Sequence, residues 1–206
     1  MSYTYDIFIS YKRHRLAKKW IEEQFKELLE FYVDHALGRT PAIFVDDQID
    51  VGADWPSVLA NNIQCSRVLV PLWSRNYFTS EWCCRELARM MARERGERVP
   101  GKDQRLVAPV IVNNYEQPAK ELPEPVRAIQ AEPIHDYFNP YMQKEGKLAE
   151  GLAQVIAQRL APGVTKSIEA APDWKETWEL RDEEVLFKAL YNGDAPVQVH
   201  VPGWSS

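Results

Sequence analysis

Cysteine is scarce, glycine clusters are absent, and no apolar run is long; each shortage removes a class of protein. The three cysteines, Cys65, Cys83 and Cys84, offer neither a disulfide framework nor the spacing of a metal centre. Cys83 and Cys84 are neighbours, so on a helix their side chains diverge by about 100° and do not readily share one ion. They read as small buried thiols of a reducing compartment, and no metal is expected. No Gly-x-Gly-x-x-Gly follows the first strand, which argues against the dinucleotide-binding fingerprint of a dehydrogenase. No stretch reaches the roughly 20 apolar residues of a membrane span. The opening Met1-Ser2-Tyr3-Thr4-Tyr5-Asp6 lacks the charged start and apolar core of a signal peptide. A cytoplasmic chain with no membrane contact is therefore expected. Positive charge is in deficit as well, 25 Lys and Arg against 30 Asp and Glu for a net charge of −5. Phosphate-backbone binding draws on clustered cations, so nucleic acid is not an expected partner. The cations that do cluster, Lys12, Arg13, Arg15, Lys18 and Lys19, occupy one loop-to-helix stretch.

What is present is the composition of a globular protein, 45% hydrophobic and 27% charged over 206 residues. That length suits one domain with an appendage. Tyr5-Asp6-Ile7-Phe8-Ile9-Ser10 reads as a buried strand. A long amphipathic helix follows from about Leu16 to Ala36, with Trp20, Ile21, Phe25, Leu28, Leu29 and Tyr32 recurring at helical intervals and Gly38 ending it. Ala42–Val45 predicts a second strand and Trp55–Gln64 a short helix. Val68–Trp73 predicts a third strand, and Trp82–Arg95 a helix for which Ser74 and Thr79-Ser80 are candidate caps. Leu106–Val112 reads as a fourth strand with an internal proline, and Pro133–His135 as a short fifth before a helix from Lys147 to Leu160. From about Pro162 a Pro/Gly-containing link leads to a charged helix, Trp174–Tyr191, and a strand-like Val197–Val201. The expected organisation is a domain over 1–161 and an extension over 162–206 whose role the sequence does not reveal.

Apolar strands alternating with helices imply α/β architecture: a flavodoxin-like, doubly wound, five-stranded parallel sheet of order 2-1-3-4-5. In such a sheet ligands bind beyond the carboxyl ends of the strands, at the switch point between strands one and three. Chemistry is thus to be sought after Ser10, Val45 and Trp73.

Those loops carry a family pattern. Tyr5-Asp6-Ile7-Phe8-Ile9-Ser10-Tyr11 resembles the first box of Toll/interleukin-1 receptor (TIR) domains. Phe44-Val45-Asp46-Asp47 with Gly52 is similar to their second strand and the loop after it, and Cys65-Ser66-Arg67-Val68-Leu69-Val70-Pro71-Leu72 to their third strand. The run from Ser74 to Leu87 follows the family's Ser-x-x-Tyr…Ser-x-Trp-Cys-x-x-Glu-Leu pattern. The resemblance spans about Tyr3 to Ala161 and leaves out the extension. TIR domains comprise scaffolds and enzymes that break the nicotinamide–ribose bond of NAD+. The enzymes carry a glutamate in the helix after strand three, usually as Trp-x-x-x-Glu, and Trp82-Cys83-Cys84-Arg85-Glu86 fits.

The resemblance therefore implies that Glu86 is the catalytic carboxylate of an NAD+ glycohydrolase. Trp82, four residues earlier on one helical face, would wall the ligand site. Arg13 is assigned to phosphate or ribose contacts and Asp46 to ribose hydroxyls, with Ser10, Tyr11, Lys12 and Ser74 as candidates at the same rim. NAD+ would be a consumed substrate, so no cofactor is expected. Self-association through the Gln48–Pro56 loop, a separate activating protein and a bacterial antiphage role are further implications. The competing expectation is a non-catalytic adaptor acting through TIR–TIR contacts. A receiver domain fits poorly, because Ser10-Tyr11-Lys12 and Trp73-Ser74 stand where its acidic residues belong.

Overall fold

A computed structural model describes residues 2–45, 61–97, 105–115 and 118–193. Strand β1 (Tyr5–Ser10) leads into α1 (Arg15–Trp20), a π-helical segment (Ile21–Phe25) and α2 (Lys26–Leu37). Next come β2 (Ile43–Val45), β3 (Ser66–Trp73), α3 (Glu81–Glu97), β4 (Val110–Ile111), α4 (Pro118–Glu121) and β5 (Glu132–Pro133). Helix α5 (Lys147–Val155) continues through a π-helical segment (Ile156–Leu160) into α6 (Ala161–Glu169), and α7 (Glu183–Leu190) follows. The expected Asp46, the Gln48–Pro56 loop, most of the Trp55–Gln64 helix and the Val197–Val201 segment lie outside the described residues.

All pairings are parallel and the order is β2-β1-β3-β4-β5, the doubly wound topology that the alternating pattern implies. Side chains alternate across each strand, so β1 and β3 feed two cores. Phe8, Leu69 and Trp73 join Leu87 and Met90 of α3 on one face. Ile7, Ile9, Val68 and Val70 join Trp20, Phe25 and Leu29 on the other, with Leu152 of α5 and Ile156 of the π-helical segment after it. Gly38 closes α2 in the left-handed region, φ 68°, where a Cβ would be strained.

At the amino end of β1, Asp6 is a buried anchor. Both guanidinium nitrogens of Arg39 donate to it at 2.7 Å, the Ala42 amide donates at 3.0 Å, and Arg67 lies 3.3 Å away. Burial pushes the Asp6 carboxyl up, but the Arg39 and Ala42 hydrogen bonds outweigh it and hold the group below its ordinary value. A depressed folded value stabilises the fold above the unfolded carboxyl value, near 3.9, and that contribution disappears as pH falls through the lower folded value. Asp6→Asn should cost about 1–3 kcal/mol at neutral pH, since Arg39 is half in water and recovers some solvation. Urea unfolding of parent and variant should converge as pH falls below about 4; a gap that persists in acid would show that the charge is not the cause.

Three expectations are corrected. The fourth strand does not run from Leu106 to Val112: a single bridge joins Val107 to Leu69, and the ladder proper is only Val110–Ile111. The gap between them falls opposite Pro71 of β3, which has no N–H to give, whereas Pro109 faces β5, its carbonyl accepting the Glu132 amide at 3.0 Å. The helix from Lys147 does not stop at Leu160 but extends to Glu169, with Pro162 in the first positions of α6, where a missing donor is tolerated. The helix expected over Trp174–Tyr191 is confined to Glu183–Leu190.

The chain between α6 and α7 is instead a strap across α3. Trp178 lies under the Arg93 guanidinium at 4.8 Å and stacks on Tyr3, whose hydroxyl donates to the Pro172 carbonyl at 2.7 Å. Arg93 also donates to the Ser66 and Arg67 carbonyls, at 2.9 and 2.7 Å. Leu186, Phe187 and Leu190 of α7 are buried in the same core as Leu87 and Met90. The Asn192 amide donates to the Phe78 carbonyl at 2.8 Å.

Candidate active site

Strand β1 ends at Ser10 and β3 at Trp73, and Ser74 turns the chain: its hydroxyl accepts the Tyr77 amide at 3.1 Å. Ser74 thus caps this turn, not the helix for which it was a candidate. Helix α3 then starts at Glu81 and lays its apolar face on the sheet. That face brings Glu86 beneath the carboxyl end of β1.

Glu86 is 5% exposed. The Ser10 hydroxyl, fully buried, donates to Glu86 Oε2 at 2.6 Å. Ser10 Oγ is also 2.9 Å from the Tyr77 hydroxyl, which donates to the Cys83 carbonyl at 3.1 Å. Trp82, one turn earlier, is 37% exposed. Burial, then the neighbouring Cys83 and Glu86, raises the Tyr77 phenol well above its ordinary value. The Cys84 thiol is pushed up to about 12 by burial and then by the Glu86 charge, so it is not a nucleophile. Its Sγ donates weakly to the Phe78 carbonyl at 3.6 Å.

A cleft of about 540 Å³ opens at the same end of the sheet. Tyr11, Lys12, Arg13 and Ser74 line it, so four expected rim residues share one hollow. His14, Asn76, Asn113 and Phe138 are also in the wall and were not assigned to the site from the sequence. The size falls in the range of small-molecule sites. Glu86 and Trp82 are not among the cleft's lining residues. Ser10 links the two regions, since its hydroxyl holds Glu86 while the next residues, Tyr11 and Lys12, form the rim. Ser10 itself is no rim residue. A further hollow, about 390 Å³, is bounded by Arg105, Pro109, Glu132 and Arg159 and does not include Glu86. Among the described residues no cluster of His, Cys, Asp and Glu is arranged to hold a metal, and no helix is long and apolar enough to cross a membrane.

Sequence reasoning missed the part played by Tyr77. The Ser-x-x-Tyr spacing marks it, but only the fold shows its hydroxyl meeting one from β1, 67 residues away in the chain.

Comparison with curated proteins gives no match. Among solved structures, the chain is similar to the TIR domain of the Toll-related receptor TRR-2 from Hydra magnipapillata, with 16% identity, 78% of this chain and 98% of that chain covered, and a TM-score of 0.48. It is also similar to the TIR domains of the activated Roq1 resistosome directly recognizing the pathogen effector XopQ, with 22% identity, coverage of 90% and 96%, and a TM-score of 0.37. A family model described as the TIR domain matches residues 7–149, from β1 into α5. With that match over most of its length, the chain belongs to the TIR domain family.

Proposed function

We propose that the chain cleaves the nicotinamide–ribose bond of NAD+, with Glu86 as the catalytic carboxylate. The observation that carries this reading is a glutamate buried at the carboxyl edge of a doubly wound sheet, with a serine hydroxyl donating to its carboxyl. Breaking the bond develops positive charge on the ribose while nicotinamide leaves neutral. No acid is needed to protonate the leaving group, unlike the paired carboxylates of ordinary glycosidases. One carboxylate in a water-poor site stabilises the developing oxocarbenium and hydrogen-bonds the ribose hydroxyls.

The Trp82 indole, on the Glu86 side of α3, limits water access and packs against the ligand. Arg13 and Lys12 offer charge to the pyrophosphate, Tyr11 and Ser74 hydrogen bonds, and Asp46 a contact to ribose hydroxyls. NAD+ is substrate, and the products are nicotinamide with ADP-ribose or a cyclised isomer. Assembly through the Gln48–Pro56 loop, prompted by a separate activating protein, completes the reading of a defence or signalling effector.

The test incubates protein at high concentration, or with a crowding agent, with NAD+ and measures free nicotinamide. Release supports the reading; none from demonstrably assembled protein leaves the adaptor role. Arg13→Ala should raise KM about tenfold with kcat near the parent value, because a lost charge-assisted contact to a non-reacting phosphate weakens ground and transition states alike. A loss confined to kcat would place Arg13 at the reacting centre.

A further inference from the structure

Resting on that reading, we infer that Ser10 and Tyr77 are positioning residues: a two-hydroxyl relay that holds the Glu86 carboxyl in one orientation whether or not it carries a proton. Three contacts lie in series, Glu86 Oε2 to Ser10 Oγ at 2.6 Å, Ser10 Oγ to the Tyr77 hydroxyl at 2.9 Å, and Tyr77 to the Cys83 carbonyl at 3.1 Å. Each hydroxyl has one hydrogen to give and lone pairs to receive. With Glu86 ionised, Ser10 donates to the carboxylate and the Tyr77 hydrogen serves Ser10 or the Cys83 carbonyl. With Glu86 protonated, the chain reverses. The carboxyl donates to Ser10, Ser10 to Tyr77 and Tyr77 to Cys83, giving three hydrogens for three contacts. The heavy atoms keep their places in both states, so a change of charge at Glu86 does not require the side chain to turn.

The parts are rigid. Ser10 is the last residue of β1, and Tyr77 is pinned by its amide to Ser74 and packed edge-on against Phe78. Both residues are fully buried. The raised Tyr77 phenol keeps its proton, so the relay always has its terminal hydrogen. Chained hydroxyls also polarise one another, which strengthens the bond to an ionised carboxylate. A serine ending the apolar run Ile7-Phe8-Ile9 is otherwise a polar group placed where alanine would pack.

Misplacing a catalytic group by about 1 Å costs on the order of a hundredfold in rate. Ser10→Ala should therefore lower kcat about tenfold to a hundredfold while KM stays within about twofold. Tyr77→Phe, which keeps the ring packing, should lower kcat less, because Ser10 still donates to Glu86. An infrared measurement supplies a readout that needs no turnover: the Glu86 carboxyl band, isolated as the difference between parent and Glu86→Gln, should shift in Ser10→Ala. Parent kcat together with an unshifted band in Ser10→Ala overturns the inference. If the parent itself releases no nicotinamide, the NAD+ reading falls, and the band alone decides whether Ser10 orients the carboxyl.

Discussion

Glu86→Gln is expected to reduce nicotinamide release by about a hundredfold to a thousandfold while leaving the fold as stable as before or more so. Glutamine has nearly the same shape, and its amide oxygen can accept the Ser10 hydroxyl that Oε2 accepts at 2.6 Å. What is lost is charge. A neutral amide gives a developing ribose cation far less stabilisation in a water-poor site, where single preorganised groups are worth on the order of a hundredfold to a thousandfold. Removing a charge from a site only 5% exposed also relieves a desolvation cost, so the melting temperature should hold or rise. A stability gain with an activity loss is the mark of a group retained for chemistry. Equal nicotinamide release from parent and variant would take Glu86 out of the reaction, and a melting temperature lowered by many degrees would make it a structural residue.

Gly96→Ala should destabilise the protein by about 2–3 kcal/mol, the upper part of the range for overpacking. A Cβ at this position would stand 2.0 Å from the Glu179 carbonyl oxygen and 2.9 Å from its carbon, both backbone atoms of the strap. Neither is the end of a flexible side chain, so the strap must lift. Trp178, next to Glu179 in the chain, would then lose its seat under Arg93 and against Tyr3. The Arg89–Glu183 and Arg95–Asp182 pairs, at 3.7 and 3.6 Å, are partly exposed and too weak to hold it. Urea titration gives the stability change, and hydrogen exchange locates it: amides of α3 and the strap should exchange faster while β1 and β3 keep their protection. Uniform loss of protection would mean that the strap and the sheet unfold as one unit.

Much of this architecture was legible in the sequence because its signals are local. Six residues, Tyr5 to Ser10, form the strand that their apolar run predicts, and Gly38 takes the left-handed turn expected of it. Strand–helix alternation implies a doubly wound parallel sheet, and its order is the expected 2-1-3-4-5. What escaped depends on contacts distant in sequence or on single missing hydrogens. The fourth strand keeps only two ladder residues because Pro71, opposite its first half in β3, has no amide hydrogen to give. Pro162 looks like a terminator, yet the helix passes through it after a π-helical segment. Trp174 to Asp182 has the composition of a charged helix but is kept out of helix by Arg93, Tyr3 and the backbone beside Gly96. At the site, the Trp-x-x-x-Glu spacing pointed to Glu86, whereas its tie to Ser10 spans 76 residues and carries no local mark. The rim is divided in the same way: Tyr11, Lys12, Arg13 and Ser74 share a cleft, and their relation to Asp46 lies outside the described residues.

The strap has a consequence for synthesis. Its anchors lie at opposite ends of the described chain, with Tyr3 held by Pro172 and Trp178. Ribosomes add roughly 5–20 residues per second, so α3 emerges several seconds before the segment that covers it. Through that interval the side of α3 that the strap covers, with Arg93 and part of Met90, would lack its cover, a candidate binding patch for a chaperone. Folding to the final state therefore closes after translation of α7 and not with the sheet.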